Sequence, residues 1–159
     1  MHPENIVEQI RERFPDEVLG SGTAHGQTWA SLRRDRLREI CRFLKDDPDI
    51  KMDYLIDVTA VDWLPRAPRF EVVYHMHSMK HGHRLRLKVP VEEDDPAVPS
   101  VEPVWKTACW HERETYDLMG IIFHGNPDLR RILMPEGWVG HPLRKDYPLE
   151  GPEWKFEPW

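Results

Sequence analysis

The chain is organised around residues 110–149, which read WHERETYDLMGIIFHGNPDLRRILMPEGWVGHPLRKDYPL. Eight of the charged residues of this stretch form a cluster at its start and two basic pairs further on: Glu112, Arg113, Glu114, Asp117, Arg130, Arg131, Arg144 and Lys145. Beyond Gly120 the stretch lacks the regular spacing of a helix or a strand, although it is rich in apolar and aromatic side chains. We therefore expect it to lie against another surface, either the body of this domain or a partner protein.

The composition of the whole chain is that of a globular protein. With 159 residues, of which 40% are hydrophobic and 31% charged, it suits one domain with an extended tail. A formal net charge of −6 argues against a protein that binds the phosphate backbone of nucleic acids. Five prolines and three tryptophans follow residue 134, which makes the end of the chain unusual.

Two cysteines, Cys41 and Cys109, each lie within an apolar helical pattern. We expect two buried thiols in a reducing compartment. The first residues, MHPENIVEQI, lack the cationic and apolar segments of a secretory signal. No apolar run approaches the ~18 residues that suggest a membrane span, so we expect a cytoplasmic protein without direct membrane insertion, which partners could still hold at a membrane.

Periodicity predicts a simple order of elements. Helical spacing is found over residues 4–14, 37–46 and 100–120, and strand-like patterns are found over 17–20, 27–30, 54–60, 70–77 and 84–90. The predicted fold is a two-layer α+β domain of the order α-β2-α-β3-α over residues 1–120. An extended irregular C-terminal tail follows over residues 121–159.

Several local details accompany this prediction. The second helix has the apolar stripe Leu37, Ile40, Cys41 and Leu44, and we expect its arginines to lie in water. Residues 92–99 are acidic and contain proline, which is typical of a surface loop. Ser100 is the predicted N-cap of the third helix and Gly120 its stop. Gly82 is expected to supply a positive φ in the turn between the last two strands.

Four histidines, His75, His77, His81 and His83, follow the pattern H-x-H-x3-H-x-H across the predicted hairpin. Because alternate residues of a strand share a face, they could converge on a metal ion, and a small histidine-ligated metal enzyme is one hypothesis. The alternative is that exposed hairpin positions accept histidine without any ligand, and it is favoured because no carboxylate or thiol lies at ligand spacing.

The charged cluster admits two interpretations. With His111 and His124 nearby, the acidic residues could serve acid/base catalysis, but no nucleophile with an orienting base is present. On a helix Glu114 and Asp117 repel each other, whereas Arg113 and Asp117 attract. The excess acid requires cations, and the basic pairs of the tail are the obvious source, so a positioning role is favoured.

Three motifs give the stretch a recognisable character. They are W-x-E-R-E-x2-D-L-x-G-I-x-F from Trp110, G-x-P-D-L-R-R-I-L-x-P from Gly125, and G-H-P-L-R-K-D-Y-P-L from Gly140. Together with YLIDVTAVD over residues 54–62, they resemble the C-subunit family of NADH-quinone oxidoreductase (respiratory complex I), which has relatives in energy-converting hydrogenases. Asn126 departs from the pattern, since the family usually has histidine there.

The resemblance implies a non-catalytic structural subunit of the peripheral arm, on the cytoplasmic side of the inner membrane. It would pack against the D subunit of the complex, which helps to form the quinone site, and lie near the B and I subunits. NADH, flavin, iron–sulfur clusters and quinone would belong to those partners and not to this chain. The two cysteines agree, because a four-thiolate cluster needs four.

No catalytic, cofactor-binding or metal-binding residue is expected under this resemblance. The residues expected to anchor the tail or to contact the D subunit are Glu112, Arg113, Glu114, Asp117, Arg130, Arg131, Arg144, Lys145, Asp146 and Tyr147. The alternatives are the equivalent subunit of a membrane-bound energy-converting hydrogenase and, from another class, the histidine-ligated metal enzyme.

Overall fold

The computed structural model of the chain describes residues 2–150. Its elements are α1 (Pro3–Arg13), β1 (Val18–Ala24), β2 (Gln27–Leu32), α2 (Leu37–Asp46), β3 (Tyr54–Asp62), β4 (Phe70–His77), β5 (Arg84–Val91), β6 (Ala97–Pro99), α3 (Ala108–Met119) and β7 (Ile122–His124). The predicted α+β class is confirmed, and every predicted helix and strand has a counterpart. In this part of the chain no helix is long and apolar enough to cross a membrane.

Five strands form one sheet in the order β1-β2-β5-β4-β3. All neighbours are antiparallel except β2 and β5, which run parallel and are separated along the chain by α2, β3 and β4. The alternation in β5 places Leu85, Leu87 and Val89 in the core and its basic residues on the other face. In the turn before β5, Gly82 has a φ of 73°, as predicted.

The core lies between the sheet and the helices α1 and α2. Ile6 and Ile10 of α1 are fully buried, as is the whole predicted stripe of α2. Burying each such aliphatic side chain contributes about 1.5–3 kcal/mol. Cys41 is buried as expected, whereas Cys109 is only partly buried, so that prediction is wrong for the second thiol.

The helix α3 lies along one edge of the sheet and contacts β3. The Thr115 hydroxyl donates to the backbone carbonyl of Val58 in β3, with an oxygen–oxygen distance of 2.9 Å. An edge strand has unpaired backbone groups, and α3 covers those of β3. The C-terminal half of α3 is thereby fixed relative to the sheet.

The third helix begins later than predicted, at Ala108 instead of near Ser100. The Ser100 hydroxyl and the Val101 N–H both donate to the buried carboxylate of Glu112, at 2.7 and 2.8 Å. The Ser100 oxygen also accepts from the Glu102 N–H at 3.1 Å, but residues 100–107 form turns and the helix does not begin there. Their apolar side chains, Val101, Val104 and Trp105, are nevertheless buried.

The acidic loop before α3 also differs from the prediction. Its residues 97–99 form β6, which pairs in parallel with β7 after α3. Ile121 and Phe123 are buried in the main core, so the first residues assigned to the tail complete the globular body. Arg38 of α2 donates to the carbonyls of Ser100 and His124, and hence this arginine clamps the loops instead of lying in water.

Candidate functional site: the strap and its anchors

Residues 125–150, here called the strap, cross the surface of the domain without helix or strand. Three groups of hydrogen bonds hold the strap in place. They involve the end of α3, the buried carboxylate of Glu112, and Arg69 at the start of β4.

The first anchor is Asp117, whose side chain is fully buried in α3. One carboxylate oxygen accepts from three consecutive backbone N–H groups, those of Ile132, Leu133 and Met134, at 2.7–3.0 Å. The other oxygen accepts from Arg131 at 2.7 Å. Burial alone would raise the pKa of Asp117, but the hydrogen bonds from Met134, Arg131 and their neighbours outweigh it and lower the pKa. The carboxylate therefore stays charged, and its hydrogen bonds hold residues 131–134 of the strap around it.

Arg131 extends this anchor to the middle of the strap. Its second terminal nitrogen donates to the carbonyls of Trp138 and Gly140, both at 2.9 Å. One side chain thus fixes both sides of the turn over residues 132–140. Because a guanidinium presents several donors in a planar fork, a lysine could not make the same set of bonds.

The strap also satisfies the last carbonyl groups of α3, which have no partner within the helix. The Asp117 carbonyl accepts from the His141 Nδ1–H at 2.9 Å, and the Leu118 carbonyl accepts from the Leu143 N–H at 3.0 Å. The Met119 carbonyl accepts from Arg144 Nε at 2.8 Å. Cationic side chains at this helix end are further favoured by the helix dipole.

Gly120 makes this close approach of strap and helix end possible. It adopts a φ of 75°, which a residue with a side chain rarely takes. A Cβ atom at this position would lie 2.6 Å from the ring of His141 and would also meet Arg144. The predicted role of Gly120 as the helix stop is confirmed, and the contact with the strap adds a second reason for glycine.

The second anchor is Glu112, which is fully buried and has neutral partners. Besides Ser100 and Val101, the side-chain amide of Asn126 donates to it at 2.7 Å. Burial, only partly offset by the hydrogen bonds from Ser100 and Asn126, raises the pKa of Glu112. The structure thus places Glu112 against the start of the strap, but through an amide and not through the basic pairs.

The neighbours of Glu112 on α3 behave differently from each other. Arg113 is buried and donates to the carbonyls of Arg130 and Arg131 at 3.2 and 3.0 Å. Glu114 is exposed, and no hydrogen bond or ion pair joins its side chain to another residue between 2 and 150. Arg130 points outward and pairs with Asp128 beside it. Of the four charged residues of the cluster, Glu112, Arg113 and Asp117 hold the strap.

The third anchor, Arg69, is 3% exposed and binds three carboxylates. Its guanidinium makes two hydrogen bonds with Asp62, at 2.9 and 3.1 Å, and two with Asp146 of the strap, at 2.7 and 3.0 Å. Glu93 supplies the third carboxylate. Asp62 also accepts from the Lys145 N–H at 2.9 Å. Burial opposes ionisation of Asp62, yet the bonds from Arg69 and Lys145 prevail and lower its pKa.

Asp62 and Arg69 were not identified from the sequence as anchoring residues. They flank the connection between β3 and β4, and a charged residue at the end of each apolar strand is the signal that could have indicated a pair. The remaining predicted strap residues lie close by. Arg144 stacks over the ring of Phe70 at 5.0 Å, and the Tyr147 hydroxyl donates to the Val139 carbonyl at 3.2 Å.

The strap presents an apolar outer surface although its backbone is fixed. Ten large hydrophobic side chains between residues 2 and 150 are exposed, and half of them are in the strap: Ile132, Leu133, Val139, Leu143 and Leu149. Trp110 on the adjacent face of α3 is a further one, 60% exposed. Exposed apolar side chains concentrated on one segment are a frequent feature of protein–protein interaction surfaces. The other two tryptophans of the tail, Trp154 and Trp159, lie outside the described residues.

The four histidines do not converge. His81 and His83 use Nε2 on the carbonyls of Pro48 and Ile50, and His75 contacts Asp57 at 2.6 Å. His77 contacts the backbone carbonyl of His83. Between residues 2 and 150 no three His, Cys, Asp or Glu side chains are placed to hold a metal ion. His83 is buried, so the expectation of exposed positions is wrong there, and Asp57 is a carboxylate partner that the spacing did not indicate.

Comparison with known proteins places the chain in a family. The family model described as the 30 kDa subunit of respiratory-chain NADH dehydrogenase matches residues 30–153. The C subunit of NADH-quinone oxidoreductase from Roseiflexus sp. (strain RS-1) is 48% identical over 151 residues, covering 95% of this chain and 87% of the relative. The corresponding C subunit from Geobacter sulfurreducens is 47% identical over 148 residues, covering 92% of this chain and 90% of the relative.

Solved structures agree with the sequence relatives. A trypsin-resistant fragment of Nqo5 superposes with a TM-score of 0.68 at 34% identity, covering 81% of this chain and all of the fragment. A chain of the membrane-bound sulfane sulfur reductase, an archaeal respiratory membrane complex, gives a TM-score of 0.70 at 26% identity, covering 92% of this chain and 85% of its own. Because the family model covers most of its residues and relatives nearly half identical to it cover nearly its whole length, the chain belongs to the family of the 30 kDa subunit of respiratory NADH dehydrogenase, the C subunit of NADH-quinone oxidoreductase.

Proposed function

We propose that this chain is a non-catalytic structural subunit of a proton-translocating NADH-quinone oxidoreductase, and that its strap is the docking surface for the subunit that forms the quinone site. The strap carries the proposal because it combines a fixed backbone with exposed apolar side chains. A preorganised segment loses little conformational entropy when a partner covers it. The D subunit of the complex is the proposed main partner, with the B and I subunits adjacent, on the cytoplasmic side of the inner membrane.

The chemistry of the described side chains supports a role without bound cofactors. The sequence has two cysteines, and burial raises the pKa of both the Cys41 and the Cys109 thiol. A four-thiolate iron–sulfur cluster needs four cysteines, and the sequence has two. The buried carboxylates of Glu112 and Asp117 on α3 are committed to hydrogen bonds within this chain.

A purification from the native membrane tests the proposal. The tagged full-length chain should copurify with subunits that carry flavin, iron–sulfur clusters and the quinone site, and the membranes should oxidise NADH with quinone as acceptor. The purified chain alone should have no visible absorption band and no NADH or quinone activity. A stoichiometric flavin or cluster in the isolated chain would overturn the non-catalytic role.

A second candidate is the equivalent subunit of another membrane-bound respiratory complex. The likeness to a chain of the archaeal sulfane sulfur reductase favours it, since the fold is shared over most of both chains. The same purification separates the two candidates. Partners that carry hydrogenase or sulfur-reducing sites, in place of flavin- and NADH-binding subunits, would assign the chain to that class.

A further inference from the structure

The two edges of the main sheet are treated differently. The β3 edge is covered by α3, through contacts that include the Thr115–Val58 hydrogen bond. The opposite edge is β1, whose one strand neighbour among the described elements is β2. A strand at an open edge presents a row of backbone groups that can pair with a further strand.

The register of the β1–β2 hairpin identifies those groups. A two-residue turn, His25-Gly26, joins the pair Ala24 and Gln27, and both turn residues have positive φ as in a type I′ turn. In this geometry alternate residues direct their N–H and C=O groups away from the partner strand. Counting back from Ala24, the outward-directed residues are Thr23 and Ser21, and both are exposed.

The β1 edge has few of the features by which proteins prevent further pairing. Its sequence, VLGSGTA, contains no charged residue and no proline. A register shift between Val18 and Gly20 is the one irregularity, and regular pairing runs from Gly20 to Ala24. The glycine at position 22 has a structural explanation, since a Cβ there would lie 3.1 Å from the ring of Trp29.

The surface beside this edge carries two exposed carboxylates. A groove of about 340 Å³ runs between α1 and β1, and Glu4, Glu8, Ser21 and Thr23 are among its lining residues. The carboxylates of Glu4 and Glu8 are one helical turn apart, and both are more than half exposed. Glu4 accepts from the Thr23 hydroxyl, and Arg11 lies 3.8 Å from Glu8. A strand added beside β1 would direct every second side chain toward this acidic wall.

We propose that β1 is a second docking site, at which an extended segment of another subunit of the complex pairs with the β1 backbone and places basic side chains against Glu4 and Glu8. The backbone hydrogen bonds would supply affinity, and the acidic groove would select the segment. The inference rests on the proposed function, because the partner is sought within the complex.

Hydrogen exchange of the amides of β1 tests the proposal directly. In the free chain the Ser21 and Thr23 amides should exchange rapidly, while the Gly22 and Ala24 amides, which face β2, should be protected. In the purified complex, exchange at Ser21 and Thr23 should slow by at least tenfold. Equal exchange in the free chain and the complex would overturn the β1 site while leaving the strap proposal intact. Failure of the wild-type chain to enter any complex would instead sink the proposed function.

Two sets of variants provide an independent test. Ser21→Pro removes the outward N–H and leaves the bonds to β2 in place, because proline is tolerated on the solvent side of an edge strand. Ser21→Ala keeps the N–H and loses only the hydroxyl that accepts from Arg11, so it is the matched control. We expect incorporation of Ser21→Pro into the complex to be at least fivefold lower than that of Ser21→Ala, because only the proline variant lacks the outward N–H. Equal losses for both variants, or none for either, would contradict the proposal.

The acidic groove is tested by Glu4→Gln combined with Glu8→Gln. This pair should weaken incorporation several-fold and reduce its sensitivity to salt, since two charges no longer face the basic segment. An unchanged salt dependence would contradict the basic character of the partner. Concentration-dependent protection of Ser21 and Thr23 in the free chain would show that a second copy of the chain occupies the edge, and would overturn the assignment to another subunit.

Discussion

At the scale of single residues, the strap depends on two buried charges, Asp117 and Arg69. Each is surrounded by groups from distant parts of the chain: Asp117 by the backbone of residues 132–134, and Arg69 by Asp62, Glu93 and Asp146. A buried charge is tolerated only with such partners, so removing either side strands the other.

Asp117→Asn should destabilise the chain by about 3 kcal/mol. The asparagine NH2 group is a donor, so it cannot accept a hydrogen bond in place of the carboxylate oxygen that it replaces. Arg131 also loses its negatively charged partner. Glu114→Gln, three residues earlier on the exposed side of α3, should change stability by less than about 0.5 kcal/mol. Urea unfolding of both variants measures the difference. Equal effects would show that Asp117 does not organise the strap.

Arg69→Ala should cost about 3–5 kcal/mol, since it leaves the buried carboxylate of Asp62 without a cation. Adding Asp62→Asn to that variant should recover part of the loss, because the stranded charge is then removed. The double-variant cycle in urea measures this coupling. Strictly additive losses would contradict a direct Asp62–Arg69 interaction.

His141 gives the strap a pH dependence of known sign. Its burial, reinforced by Arg144 and Arg131 and opposed by the Asp117 carbonyl, lowers its pKa below the usual 6.5. The unfolded chain therefore takes up a proton at a higher pH than the folded chain does. Stability should fall as the pH drops below about 6.5.

The control for this prediction is His141→Gln, which keeps a donor and cannot titrate. The pKa of His83 is also lowered, by burial, so wild type and variant should both lose stability in acid. Wild type should lose more, and the difference between the two urea series isolates His141. Parallel pH profiles would contradict the assigned protonation of His141.

At the scale of elements, α3 joins the sheet to the strap. Its middle residue Thr115 bonds to β3, and its last carbonyls receive the strap. Gly120 ends α3 at the point where His141 and Arg144 of the strap approach the helix, and a Cβ atom there would meet both side chains.

Gly120→Ala should therefore cost more than the conformational penalty alone, which is about 1 kcal/mol for alanine at a positive φ. Gly137→Ala is the matched control, since Gly137 has a φ of 83° but no atom within 4 Å of an added Cβ. The difference between the two variants in thermal or urea unfolding measures the contact with the strap. Equal losses of stability in the two variants would mean that the strap moves away from the added Cβ at no free-energy cost.

The elements that could be predicted from the sequence are those with a local signal. The apolar stripe of α2 and the alternation of β5 both repeat within a few residues. In the structure, these two elements begin and end within a residue of the positions that their periodicity predicts. The strand β6 has three residues and a partner beyond α3, so no local pattern indicates it. The late start of α3 has a similar cause, because Glu112 binds Ser100 and Val101 across the turns between them.

The same distinction explains the candidate site. Charge spacing on α3 identified Asp117, and the basic pairs identified Arg131 as a cation for the tail. Periodicity could not exclude Glu114, because the face of α3 that meets the strap depends on how the helix lies along β3. The Asp62–Arg69–Asp146 cluster joins positions up to 84 apart in the chain and requires the fold to be known.

At the scale of the whole molecule, the domain is a platform that presents a fixed strap. The sheet, α1 and α2 enclose one core, β6 and β7 extend it, and α3 carries the strap along the far edge.

The proposed function requires that the apolar outer surface of the strap docks this chain into its complex. This is tested by measuring how much of a strap variant, Val139→Glu combined with Leu143→Glu, is incorporated into the membrane complex. The control is Met79→Glu, which adds a charge at a similarly exposed position remote from the strap in sequence. All three side chains are more than half exposed, so the free variants should unfold at nearly the wild-type urea concentration. We expect the strap variant to be absent from the purified complex and Met79→Glu to enter at the wild-type level. Normal incorporation of the strap variant would contradict docking through the strap.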